Sequence, residues 1–296
     1  DNQTDIRDVL FSLGKKSITS VEGLFTEKAP SKVIKPGFST SPSTKTLIGL
    51  YSITFTSTSG NLTNFLYASF NAPHTPMQAI DKDLKIYSHI KDKKRRTYAA
   101  MIHRLDVNVG RMVKELKKQG IYEKTIVVFF SDNGGPTKNN GSINAPFNGS
   151  KGILLEGGIR IPFVISYPEK LKKGIYRNPI TSLDLVPTFV ELAGGKITNK
   201  DKLDGVNIFP YITKEIQGLP HQTMMWRFTI SAGIRKGSWK LVRLPDRLPL
   251  LFNLDNDPSE QNNVALENLD LVKSMLKELG GWDVSTPHIL FLEGAR

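Results

Sequence analysis

Cysteine is absent from the 296 residues. Disulfides, thiolate metal sites and a cysteine nucleophile are thereby excluded. No run of eighteen apolar residues occurs, so no segment reads as a membrane-spanning helix. The first thirty residues place acidic and polar side chains at close intervals, which is not the pattern of a signal peptide. A cysteine-free chain suits cytoplasm and periplasm equally. The spacing Gly-x-x-x-x-Gly-Lys-Ser/Thr is missing, which disfavours nucleotide binding. No internal repeat is visible.

What is present is an excess of cationic side chains, a formal net charge of +12, on a chain that is 39% hydrophobic. That composition suffices for a full core and a second small domain. The charge predicts attraction to polyanions, among which an anionic sulfated ligand would account for it. Its densest run, Lys91-Asp92-Lys93-Lys94-Arg95-Arg96, reads as a solvated surface beside a helix start. Neither aromatic interleaving nor a nucleic-acid motif accompanies it, so nucleic acid is not an expected partner. Sequons stand at Asn2, Asn61, Asn140 and Asn148. The last two fall in a loop read below as functional, where a glycan would obstruct.

Residues 1–64 are weakly patterned, with a loop at Gly37 to Ser43 and a strand through Leu47 to Phe55. Phe65 to Phe70 reads as a buried strand closed by Asn71-Ala72-Pro73. Tyr98, Met101, Ile102, Leu105, Val109, Met112, Val113 and Leu116 mark one face of a helix that Gly120 ends. Thr125 to Phe130 is apolar on both faces, as in a central parallel strand. Strand, helix and strand compose a right-handed βαβ unit. Pro162 to Ser166 predicts another strand, and Thr181 with Asp184 a capping box for a helix through Val186 to Leu192. Beyond residue 220 the pattern turns antiparallel: Met224 to Ile230, Trp239 to Leu244 across a turn at Lys236-Gly237, then Leu250 to Leu254. A last amphipathic helix carries Leu269, Val272, Met275, Leu276 and Leu279 up to Gly280-Gly281. The expected organisation is an unassigned segment 1–64, an α/β core over 65–220, and a small α+β subdomain over 221–296.

Loops that leave the carboxyl ends of parallel strands gather at one edge, where ligands bind. That topology groups His74 with Ser131-Asp132-Asn133-Gly134-Gly135. Asp132 and Asn133 offer hard oxygen ligands, suited to Ca²⁺ or Mg²⁺ over zinc, although Asp-Asn-Gly is also ordinary turn vocabulary. His74, between Pro73 and Pro76, sits on a stiff loop and is a candidate to bind an anion or protonate a leaving group; an ordinary surface histidine is the alternative. In Gly149-Ser150-Lys151-Gly152 a lysine between glycines can approach an anionic ligand, or can be an exposed lysine on a flexible loop.

The order of these segments is more informative than any one of them. Asn-Ala-Pro-His-Thr-Pro at 71–76, Ser-Asp-Asn-Gly-Gly at 131–135, Gly-Ser-Lys-Gly at 149–152 and Glu-Gly-Gly-Ile-Arg-Ile-Pro-Phe at 156–163 resemble the type I sulfatases. So do Asp184 to Thr188, Ile234 to Val242 and Leu254 to Glu260, and the resemblance covers about residues 65–283. It implies an alkaline-phosphatase-like core with a mostly parallel sheet and helices on both faces, plus the small C-terminal antiparallel subdomain. It implies hydrolysis of sulfate esters of aryl or carbohydrate substrates, through a divalent cation, usually calcium, and a formylglycine nucleophile made from cysteine or serine. Asp132 and Asn133 match metal ligands, Lys151 a lysine on the sulfate, and His74 a histidine near the sulfate and leaving oxygen. Glu156 and Arg160 match supporting positions. The implied partner is a sulfated small molecule or polysaccharide, and the implied compartment periplasmic or extracellular.

Three family features are missing. No Asp-Asp pair occurs, nor does Cys/Ser-x-Pro-Ser-Arg, nor Lys-Trp-His. The nearest approach to the nucleophile motif is Thr40-Ser41-Pro42-Ser43-Thr44, with threonine at the nucleophile position. The expectation is therefore a fragment, an internally deleted product or a degenerate copy, with no identifiable nucleophile. Phosphate or phosphonate ester hydrolysis on the same framework is one alternative. A non-catalytic binder of sulfated glycans is the other.

Overall fold

The computed structural model describes residues 48–56, 62–198 and 203–286. The loop expected at Gly37 to Ser43, the Thr40–Thr44 stretch, and Asn2 and Asn61 lie outside the described residues. Two compact units divide the chain: Asp1–Thr125 with Tyr167–Pro220, and Ile126–Ser166 with His221–Arg296.

The first unit opens with strands β1 (Ile48–Thr56) and β2 (Leu62–Phe70), paired antiparallel with Ile48 opposite Phe70. Helix α1 (Asp81–Ile86) and the long α2 (Lys93–Lys118) follow, then a 3-10 turn at Tyr122–Lys124. Asp92 caps α2 by accepting from Arg95 N–H at 2.6 Å, so the basic run does open a helix. Gly120, at φ 68, takes the left-handed conformation just past its end. Asp83 is buried, and Arg104 of α2 grips both its oxygens at 2.7 and 2.8 Å. Farther on, the capping box of Thr181 and Asp184 is present on a 3-10 turn at Ser182–Asp184, leading into α4 (Leu185–Leu192). Asp184 also accepts from Val206 N–H, and Thr188 from Ile208 N–H, both at 3.0 Å, which fastens the segment carrying α5 (Phe209–Ile212).

The second unit contains β3 (Val127–Phe130), α3 (Glu156–Ile159) and β4 (Phe163–Ser166), then β5 (Thr223–Phe228), β6 (Ser231–Lys236), β7 (Trp239–Arg243), β8 (Leu250–Asn253) and α6 (Leu269–Ser285). Strands β5 to β8 form an antiparallel sheet in sequence order. Side chains alternate across it, as the pleat requires. Ala232, Ile234, Leu241 and Leu251 pack with Val272, Met275 and Leu279 of α6 on one face. Val242 and Phe252 pack with Leu154 and Leu155 on the other.

Helices with short sheets, followed by a C-terminal antiparallel sheet, bear out the α/β class with its α+β subdomain. Several details differ. The described strand pairs are all antiparallel: β2 pairs with β1, and β3 with β4, Val127 facing Ser166. The sequence interval between β1 and β2 is too short for a parallel crossover. Neither β2 nor β3 is fully buried; Tyr67 and Phe129 remain exposed at 48% and 37%. Strand β6 lies between the two strands expected to be neighbours; Ser231-Ala232-Gly233 carries no apolar alternation to mark it in the sequence. Helix α6 also runs through Gly280-Gly281 instead of stopping there. Arg227 and Arg243 hold Asp283 at 3.1 and 2.7 Å and so retain the last turn.

Candidate active site

The loop after β3 turns sharply. Ser131 Oγ donates to the carbonyl of Asn133 at 2.9 Å, and Asn133 Nδ2 donates to the carbonyl of Gly134 at 3.0 Å. These bonds leave Asn133 Oδ1 without a protein partner among the described residues. The exposed carboxylate of Asp132 likewise has none. The backbone therefore makes the turn, and these acceptor oxygens have no protein partner among the described residues.

Glycines bring this loop against its neighbours. Gly134 N–H donates to the carbonyl of Gly158 in α3 at 2.9 Å, and a Cβ on Gly134 would overlap the carbonyl of Gly157. Gly157 N–H in turn donates to the carbonyl of Asn148 at 2.6 Å. Lys151 N–H donates to the carbonyl of Gly135 at 3.2 Å. Asn144 ties the same junction: its Oδ1 accepts from Gly135 N–H at 3.1 Å, and its Nδ2 donates to the carbonyls of Gly135 and Gly149. The glycines of these loops thus permit close backbone contact between them.

Three of the predicted residues, Asp132, Asn133 and Lys151, therefore stand on two loops hydrogen-bonded to each other. Lys151 is exposed, between Gly149 at φ 88 and Gly152 at φ 85, and its ammonium makes no bond among the described residues. His74 belongs to the first unit, in the turn after β2, where its N–H donates to the carbonyl of Asn71 at 2.8 Å. Nδ1 lies 2.7 Å from the carbonyl oxygen of Thr75. A carbonyl can only accept, so Nδ1 donates to it, and Nε2 has no partner among the described residues.

Glu156 and Arg160 play different parts. Glu156 is buried and contacts Lys240, whose side chain has no solvent exposure, at 2.8 Å. Lys240 Nζ is also 2.8 Å from Glu260 Oε1, a charge contact rather than a well-directed hydrogen bond. Glu260 Oε2 accepts from Glu156 N–H at 2.5 Å, and its carbonyl accepts from Asn148 Nδ2 at 3.3 Å. Burial raises the Glu260 pKa, against the lowering influence of Lys240. Arg160 lies exposed over the Phe147 ring, 4.5 Å from its centroid, and 3.5 Å from Glu156. Lys240, Glu260, Asn144 and Asn148 had no assigned role in the sequence. A lysine inside the apolar strand Trp239-Lys240-Leu241-Val242 was the available signal. Asn140 is 3% exposed and its Oδ1 accepts from Ser142 N–H, so that sequon is closed to a glycan.

Asp132 and Asn133 fit a hard cation as two neighbouring oxygen donors. Among the described residues no group of three or more histidine, aspartate or glutamate side chains could hold a metal.

The family model "Sulfatase" matches residues 51–195, and that of "N-sulphoglucosamine sulphohydrolase, C-terminal" matches 149–281. The chain is 30% identical to arylsulfatase J of Mus musculus, over 73% of this chain and 44% of that protein. It is 29% identical to a sulfatase of Formosa agariphila, over 74% of this chain and 46% of that protein. The crystal structure of Ps i-CgsB superposes with a TM-score of 0.68 at 38% identity, covering 73% of this chain and 49% of that one. The same protein in complex with k-i-k-neocarrahexaose gives 0.67 at 38%, covering 71% and 48%. The chain thus spans about half the length of the relatives it matches.

Proposed function

This chain belongs to the sulfatase family, and we propose that it carries the sulfate-contacting and part of the metal-contacting apparatus for hydrolysing sulfate esters of saccharides. The observation that carries this reading is a pair of charges, Asp132 and Lys151, unpartnered among the described residues, on loops joined by the Lys151 N–H bond to Gly135. Charged groups on tightly fastened loops are held ready for a ligand instead of for each other.

In this reading Lys151 contacts a sulfate oxygen and stabilises charge on the transferring sulfuryl group. Asp132 and Asn133 supply two oxygens to Ca²⁺, with Mg²⁺ the lesser candidate; such an ion, when bound, would polarise the sulfate. For His74 the family resemblance implies protonation of a leaving oxygen, and Nε2, without a partner among the described residues, is the atom that would carry that proton. Glu156 and Arg160 are supports: Glu156 anchors α3 through Lys240, and Arg160 adds a second, exposed positive charge 3.5 Å from Glu156. The formylglycine nucleophile expected of the family has no counterpart among these residues. The complex of Ps i-CgsB with k-i-k-neocarrahexaose, on a chain 38% identical, supports an oligosaccharide as the substrate class.

The proposal is tested by titrating the full chain with an aryl sulfate and the matching aryl phosphate, each with Ca²⁺. Tighter binding of the sulfate supports the reading. Tighter binding of the phosphate, or binding of neither, contradicts it.

A further inference from the structure

The antiparallel sheet of the second unit presents a second feature on the face opposite Lys240. Trp239 and Lys240 are successive residues of β7, so their side chains take opposite faces. Lys240 reaches Glu156, whereas Trp239 packs with the α6 side of the core. Beside Trp239 is a pocket of about 350 Å³, lined also by Asn253, Asn256, Asp257, Asn262 and Glu267. That volume is at the small end of ligand sites, which run from roughly 300 to 1,000 Å³.

Its lining excludes two ligand classes. No lysine or arginine lines it, and Asp257 and Glu267 contribute negative charge, so a sulfate or phosphate would be repelled. A metal ion is equally ill served. Both Asp257 oxygens are occupied, accepting from Gln261 N–H at 3.0 Å and Asn262 N–H at 2.8 Å. Glu267 is left as the free carboxylate of the lining, well short of a cation's coordination.

What remains is one indole, the apolar Val264 and several carboxamides. The side chains of Asn256 and Asn262 make no hydrogen bond among the described residues, nor does the Trp239 indole N–H. A carboxamide both donates and accepts, which matches a hydroxyl group that also does both. An indole face offers apolar area and polarisable contact to the C–H face of a pyranose ring. We propose that this pocket is a subsite for an uncharged sugar unit, a hexose or pentose residue carrying no sulfate. The inference stands apart from the hydrolytic reading, since neither Lys151 nor Asp132 contributes to it. If both hold, the protein grips unsulfated units of a glycan on one sheet face and handles the sulfate ester on loops packed against the other.

The test is calorimetric titration of the full chain with neoagarohexaose, cellohexaose and xylohexaose, each raised to about 10 mM because subsite affinities lie near the millimolar range. At least one of these neutral oligosaccharides is expected to bind. Trp239→Ala should weaken it tenfold or more. Because Trp239 touches the core, Asn256→Ala/Asn262→Ala, at exposed positions, serves as the second variant and should weaken binding at least threefold with an unchanged circular dichroism spectrum. Binding should persist in Lys151→Ala, which separates this pocket from the sulfate site. No binding of any of the three sugars, or affinity unchanged in both pocket variants, would overturn the proposal.

Discussion

Lys240 places its ammonium 2.8 Å from a carboxylate oxygen of Glu156, and solvent reaches neither the lysine nor Glu260 on its other side. One strand of the C-terminal sheet thereby holds α3, and α3 holds the loops that carry Asp132 and Lys151 through Gly134, Gly157 and Gly158. Two buried carboxylates share one ammonium, and Arg160 gives partial relief at 3.5 Å from Glu156.

Lys240→Met removes the shared cation and leaves both carboxylates buried. A loss of about 3–5 kcal/mol is expected, the usual cost of breaking a buried ion pair from one side. Glu260→Gln should cost far less, because burial already favours its neutral form. A raised folded-state pKa means the bound proton stabilises fully below the unfolded value, near 4.3, and that contribution is lost as pH rises through the folded value. The Lys240→Met deficit should therefore be largest at neutral pH and shrink toward pH ~4. Urea unfolding at several pH values checks it; a deficit independent of pH contradicts it.

Asp283 behaves in the opposite sense. The Arg243 hydrogen bond, reinforced by Arg227 and opposed by partial burial, holds its pKa below the ordinary value. Its contribution is present above the unfolded pKa, about 3.9, and is lost as pH falls through the folded value. Asp283→Asn should flatten the acid side of the stability profile. It should also speed amide exchange in the last turn of α6, beyond Gly280-Gly281. Equal exchange in both proteins would remove Asp283 as the reason the helix continues.

Gly134→Ala drives a methyl group into the carbonyl of Gly157. Backbone must move to admit it, at a cost on the order of 3 kcal/mol. Thermal unfolding should fall, and binding of an aryl sulfate should weaken, since the loops of Asp132 and Lys151 separate. Gly110→Ala, where no atom crowds the added carbon, is the control. A Gly134→Ala protein with unchanged melting and binding would show that this junction does not position the site.

Ca²⁺ should bind weakly. A calcium site takes about 6–8 oxygens, and Asp132 with Asn133 supplies two. Calorimetry is expected to give a Kd above about 1 μM, with the signal lost in Asp132→Ala. Submicromolar affinity would mean further ligands exist beyond these two.

The elements most legible in the sequence were local ones. The Thr181–Asp184 box, the face of α2 and the glycine after it each depend on residues within a few positions of one another. The glycine-rich loops were legible as candidates because their residue types are chemically suggestive wherever they fold. What escaped was long-range. Lys240 meets Glu156 across 84 positions, and no local pattern marks that pairing. Asp283 extends α6 by contacts 40 and 56 positions away, which override the helix-breaking tendency of two glycines. Strand pairing was misjudged for the same reason: apolar strands such as Val127 to Phe130 look alike in parallel and antiparallel sheets. Local periodicity does not choose the partner.

Lys151 is the residue on which the functional reading depends most. The chain has no cysteine, no Cys/Ser-x-Pro-Ser-Arg and no paired aspartates, so no turnover of a chromogenic aryl sulfate above background is expected from it. Binding should survive the missing nucleophile, because electrostatic recognition does not require one. The decisive measurement is calorimetric titration of an aryl sulfate into the full chain, beside Lys151→Ala and the surface control Lys172→Ala. The account predicts saturable binding that weakens at least tenfold in Lys151→Ala and is unchanged in Lys172→Ala. Equal affinity in all three proteins would contradict it and place the sulfate elsewhere.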